Sequence, residues 1–157
     1  MIEVLDRFLT DEEYDYVLRY CGTSGYYYGE TDRPDVMPTG MVHEIDEKEK
    51  IYELFASRTQ ELVPELRLYR MYVNCFSPAE NPYFHTDGDY GDVTFLFYVN
   101  HRWDLDDGGE TQFFENGEIR GIVPLPNRMV YFDANIEHRA TSLRHRHRFT
   151  IAIKYTA

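Results

Sequence analysis

Six short runs downstream of residue 65 alternate with turn-forming clusters. The runs are "LRLYRMYVNCF", "DVTFLFYVN", "ETQFFE", "IRGIVPL", "NRMVYFDA" and "RFTIAIKYTA". They are rich in β-branched and aromatic residues, which suit a pleated, buried surface. Between them lie "SPAENP", "DGDYGD", "DLDDGG", "ENGE" and "LPN", where Gly, Pro, Asn and Asp favour turns. Asn116-Gly117 is a strong two-residue hairpin signal. Several short strands at this spacing predict a sandwich or a barrel.

The first part of the chain has a different texture. Thr10 followed by Glu13 fits a capping box. Tyr14, Val17, Leu18 and Cys21 then recur at helical spacing, with Gly22 as a stop. A second helix is predicted from about Glu47 to Leu62, capped by Asp46, with Ile51, Leu54, Phe55 and Leu62 on its buried stripe. The intervening "GTSGYYYGETDRPDVMPTG" reads as irregular structure or short edge strands, a candidate cleft wall. The expected fold class is mainly β with N-terminal helices and a jelly-roll core. The chain reads as a single domain over residues 1–157, with helical support in 1–65 and the jelly roll in 66–157.

Composition narrows the function classes. A chain that is 43% hydrophobic and 16% aromatic is not a disordered segment. A net charge of −12 opposes attraction to nucleic-acid phosphates and anionic lipid. The run "RHRHR", Arg144–Arg148, is a local exception. Cys21 and Cys75 form no CxxC pair and suggest no disulfide framework, so a reducing compartment is the simpler expectation. The acidic, interrupted "MIEVLDRFLTDEEYD" is no signal peptide, and no apolar run nears the ~20 residues of a membrane span. A soluble, cytoplasmic protein is expected.

Within "PYFHTDGDYGD", His85 and Asp87 stand two apart, and on a strand they would share one face. Two such ligands need a third to hold a metal. The candidates are His43, His101, His138, His145 and His147. His138 stands out, because it follows a strand-like run and the short loop "ANIE" and would sit at the entrance to the last strand, facing the sandwich mouth. His85, Asp87 and His138 have the pattern of a two-His-one-carboxylate facial triad, which leaves metal positions open and suits non-haem Fe(II) oxygenases. Such chemistry needs an electron source, commonly 2-oxoglutarate, whose distal carboxylate would be costly to bury unpaired. Arg148 opens the apolar run "RFTIAIKY" and would meet that carboxylate through paired hydrogen bonds.

The order His85-x-Asp87, "TFLFYVN", "GGETQFF", "NRMVYFD", His138 and Arg148 resembles the Fe(II)/2-oxoglutarate-dependent dioxygenases, and within them the prolyl-4-hydroxylase-like branch. The likeness covers about residues 69–157. It implies a double-stranded β-helix, cupin-like core, with Fe(II) held by His85, Asp87 and His138 as catalytic ligands. It also implies that Arg148 binds the distal carboxylate of 2-oxoglutarate, with Tyr98 on the same carboxylate and Asn74 as a further co-substrate contact. Phe76 departs from the Tyr that many members carry, which weakens Asn74, and many prolyl 4-hydroxylases have Lys where this chain has Arg148. O2 would be the oxidant and ascorbate a reductant. The implied reaction hydroxylates a C–H bond, of a peptidyl proline or another protein side chain, with release of succinate and CO2. A short chain with little insertion to cover its cleft suits a peptide or protein substrate.

Other readings compete. The acidic loops at 87–92 and 104–107 could hold Ca2+ in a carbohydrate-binding jelly roll, with oxygen-only coordination and no role for His138. The EF-hand pattern fails, since its twelfth position, counted from Asp87, is Tyr98. Asp89 is a fallback ligand in an HxxxD arrangement. A zinc hydrolase would share the ligands but leave Arg148 without a purpose. An oxygenase acting on nucleic acid or a small metabolite is also open; the acidic balance argues against the former.

Overall fold

β5, Val93–Val99, is buried along its whole length because it has no solvent-facing side. Its neighbours are strands on both edges, and each of its faces meets a different layer. The computed structural model describes residues 1–157. In chain order it comprises β1 (Ile2–Leu5), α1 (Asp11–Thr23), β2 (Tyr27–Tyr28), β3 (Met41–Glu44), α2 (Lys50–Leu62), β4 (Arg67–Phe76), β5, β6 (Thr111–Glu115), β7 (Glu118–Ile122), β8 (Met129–Asp133), β9 (Glu137–Ala140) and β10 (Arg148–Thr156). A seven-stranded antiparallel sheet runs β1-β8-β5-β10-β4-β3-β2, and a three-stranded sheet runs β7-β6-β9. The two form the jelly-roll core.

Alternation along the central strands separates two interiors. Phe95, Phe97 and Val99 of β5 and Ile151, Ile153 and Tyr155 of β10 join one cluster with Val17 and Cys21 of α1 and Ile51 and Phe55 of α2. Leu96, Tyr98 and Ala152 point the other way and pack with Phe113 of β6 and Val130 and Phe132 of β8. The helices therefore buttress the outer face of the large sheet, and the site lies on its inner face.

The capping box of α1 is present: the Thr10 hydroxyl accepts from the Glu13 amide, and the Glu13 carboxylate accepts from the Thr10 amide. The helix does not stop at Gly22 but continues to Thr23, where the Ser24 amide donates to the Tyr20 carbonyl. α2 begins at Lys50 rather than Glu47, and Asp46 does not cap it. Asp46 instead accepts from the Lys48 amide at 2.8 Å in the turn that precedes the helix. Asn116 and Gly117 take φ of 53° and 82° between β6 and β7, the positive values that a two-residue hairpin turn requires. The division at residue 65 is too sharp, because β1, β2 and β3 come from the first 65 residues and all join the large sheet. Cys21 and Cys75 are buried, free thiols. No helix is long and apolar enough to cross a membrane.

Candidate active site

The HxD segment is held by backbone bonds rather than by a strand of its own. His85 and His138 exchange both amide–carbonyl bonds at 3.0 Å in an isolated antiparallel bridge. The Asp87 amide donates to the Ala134 carbonyl at 2.8 Å. His138 lies inside β9, paired with Phe113 of β6, and not at the mouth of the last strand as the sequence suggested. β9 is short and polar, "EHRA", so its strand character comes from pairing rather than propensity.

These bonds bring His85, Asp87 and His138 together, with one ligand atom from each within 4.8 Å of the others. Nε2 of His85 lies 3.4 Å from Oδ1 of Asp87, and Nε2 of His138 lies 3.3 Å from Oδ2. The two Nδ1 atoms face carbonyl oxygens, of Tyr83 at 3.0 Å and Ile136 at 2.9 Å. A ring that donates from Nδ1 keeps a lone pair on Nε2, which is the tautomer a metal needs. Both Nε2 lone pairs then face the Asp87 carboxylate, and the donor set fits an Fe(II) ion with open positions.

Burial pushes the Asp87 carboxyl up, but the Lys154 ammonium and the His138 imidazole more than offset it, so the group stays well below the usual carboxylate range. Burial pulls His85 down, and Asp87 outweighs it, leaving the imidazole above its ordinary value.

A cavity of about 200 Å³ opens between the sheets and is lined by the three ligands and by Asn74, Thr111, Arg148 and Thr150. Arg148 is 1% exposed. Its Nε donates to the Gly109 carbonyl and its Nη2 to the Thr111 hydroxyl, both at 2.8 Å. No carboxylate pairs with it, and burial lowers its pKa. Gly109 makes this arrangement possible: its φ is +80°, and a Cβ there would stand 2.5 Å from the Leu143 side chain.

Tyr98 is fully buried beside Arg148, its ring centroid 5.5 Å from the guanidinium carbon. It does not line the cavity, however, and its hydroxyl donates to Thr111 at 2.7 Å. Thr111 thus accepts from both Tyr98 and Arg148, and its own hydroxyl proton is left for the cavity. Asn74 and Phe76 both line the cavity.

The remaining candidates lie elsewhere. His43 is bonded to Tyr20 and Gly25 against α1. His101, His145 and His147 are exposed, and Asp89 stands outside the cluster. The basic run has a local explanation: the Arg146 guanidinium reaches Asp107 at 3.0 Å and Arg144 Nε the Asp106 carbonyl at 3.0 Å, pinning the acidic loop. The Asp107 carboxylate is engaged in that way, and the cluster that could hold a metal contains two imidazoles rather than oxygen ligands alone. The Gly- and Tyr-rich segment is a cleft wall, as expected. Asp32 accepts from the Tyr83 amide at 2.8 Å, and the Arg33 guanidinium donates to the Phe84 carbonyl at 2.9 Å.

Two residues that line the cavity were not singled out in the sequence. Thr111 follows the glycines of "GGET", and only three-dimensional pairing shows it between Tyr98 and Arg148. Lys154 forms an ion pair with Asp87 and is as buried as its partner. Its signal was the period of two from Arg148 through Thr150 and Ala152, which places Lys154 on the cavity face.

The profile of the 2OG-Fe(II) oxygenase superfamily matches residues 71–155. Among solved structures, a Pseudomonas putida prolyl-4-hydroxylase superposes with a TM-score of 0.82 at 16% identity, over 99% of this chain and 92% of that one. A Trichoplax adhaerens prolyl hydroxylase, in complex with a hypoxia inducible factor oxygen degradation domain peptide fragment, gives 0.80 at 18% identity, over 98% and 82%. HygX from Streptomyces hygroscopicus, with nickel, 2-oxoglutarate and hygromycin B bound, gives 0.76 at 11% identity, over 98% and 82%. At these identities the likeness is one of fold. No curated protein matches the sequence.

Proposed function

The chain belongs to the 2OG-Fe(II) oxygenase superfamily, and from that premise we propose that it hydroxylates a C–H bond of a peptidyl proline or another protein side chain. Fe(II), 2-oxoglutarate and O2 are the metal, co-substrate and oxidant of a dioxygenase of this family. When bound, they supply the oxidising chemistry: one oxygen atom goes to the substrate carbon, the other to succinate, and CO2 leaves. His85, Asp87 and His138 would hold the metal. Their Nδ1–carbonyl bonds fix the imidazole planes before it arrives.

One observation carries the reading. Arg148 is a buried cation with no carboxylate of its own, in the same cavity as the triad. Such a group is costly unless an anion completes it, and a five-carbon diacid chelating the metal at one end would present its other carboxylate there. Thr111 would donate its free proton to the same carboxylate, with Tyr98 orienting Thr111 from behind. Asn74 would be a further contact. Gly109 and Thr111 hold the guanidinium in place, so little reorganisation accompanies binding.

Support for a peptide substrate is the open cleft wall formed by Glu30, Asp32 and Thr39, together with the peptide bound by the Trichoplax neighbour. Succinate release, measured with Fe(II) and 2-oxoglutarate against proline-containing peptides, nucleotides and free amino acids, tests the proposal. Peptide-dependent release is expected. Release with nucleotides or free amino acids alone would overturn the substrate class, and absence of 2-oxoglutarate binding would overturn the oxygenase reading of the cavity.

A further inference from the structure

The two oxygens of Asp87 have different surroundings. Oδ1 faces only His85 Nε2, at 3.4 Å. Oδ2 lies 3.3 Å from His138 Nε2, accepts from the Thr94 hydroxyl at 2.9 Å and is paired with the Lys154 ammonium. Thr94 and Lys154 are register partners on β5 and β10, so both donors are fixed by the sheet rather than by a loop. Lys154 has little else to turn to. Its opposite number on β4, Arg70, already engages Glu30 and Glu44. The Tyr72 ring centroid lies 6.0 Å from Nζ and offers only a face.

We propose that Lys154, with Thr94, is a positioning clamp on Asp87: it holds Oδ2 and leaves Oδ1 as the single carboxylate oxygen offered to the metal. The proposal rests on the triad being the metal centre, and it adds to that reading a cation fixed on the metal-binding carboxylate. Two consequences follow. A carboxylate bound through one oxygen takes one position on the metal and leaves the others for co-substrate and O2. The ammonium also opposes the arriving dication and stabilises the metal-free carboxylate, so the chain holds its metal less tightly than three bare ligands would.

The test is Co(II) binding to the metal-free chain of residues 1–157, followed by calorimetry and by the visible absorption of bound Co(II). Lys154→Met is expected to bind Co(II) at least about tenfold more tightly, because a cation close to the arriving dication is removed, with an altered spectrum as Oδ2 joins the coordination. Lys154→Arg, which keeps the charge, should restore wild-type affinity and spectrum. If Lys154→Met does not fold, Lys154→Gln removes the charge and keeps a donor; tighter Co(II) binding is expected there too. Wild-type affinity in the variant that folds would show that the ammonium leaves Asp87 when the metal arrives, and would overturn the clamp alone. A wild-type chain that binds no Co(II) would overturn the metal centre and the clamp together.

Discussion

Arg148 and Lys154 are both buried cations on the inner face of β10, six residues apart, and they differ in one respect. Lys154 has its carboxylate within the chain, and Arg148 does not. An internally paired cation acts on its partner, whereas an unpaired one is half of an interaction whose other half is a ligand. The same strand thus carries, at one end, the cation paired with the proposed metal ligand Asp87 and, at the other, the proposed anchor for the co-substrate.

Breaking the pair should produce the largest effect. Asp87→Ala strands the Lys154 ammonium, and the metal-free chain is expected to lose about 3–5 kcal/mol of stability in denaturant unfolding. Loss below about 1 kcal/mol, the range of an exposed pair, would mean that Lys154 is not held by Asp87 in solution. The opposite response is expected at the other end. Arg148→Met should leave the metal-free chain as stable or more so, while 2-oxoglutarate affinity, measured by calorimetry with Mn(II), falls by about 2–4 kcal/mol. Equal destabilisation by both substitutions would erase the distinction between them. Thr111→Val sharpens it further. That variant keeps the shape but removes the hydroxyl, and a weakening of 2-oxoglutarate binding by about 1 kcal/mol is expected, with Co(II) affinity unchanged. A larger effect on Co(II) than on 2-oxoglutarate would place Thr111 with the metal instead.

Much of this arrangement was legible in the residues. β5 and β10 read as near-continuous runs of β-branched and aromatic residues because both of their faces are buried, and HxD, His138 and Arg148 stand in an order that one chemistry explains. The start of α1 was legible because its cap is local, within Thr10–Glu13. The elements that escaped are those whose structure is borrowed from neighbours. β1, β3 and β9 are each four residues long and mixed in polarity, and they exist as strands because β8, β4 and β6 pair with them. The start of α2 was displaced because Asp46 has two uses within reach, a cap and a turn, and takes the turn. Tyr98 was placed on the correct face but assigned a direct contact, since nothing in the one-dimensional pattern shows Thr111 standing between it and the cavity.

The odd–even partition of β10 carries a built-in proofreading of strand pairing. Were this strand to slide by one residue against β4 and β5, two charged heads would be thrust among Phe55, Phe97 and Val17, while isoleucines would fill the cavity beside the triad. Mispaired chains are therefore penalised twice over, and the charged groups that line the pocket also count among those that make its assembly unambiguous.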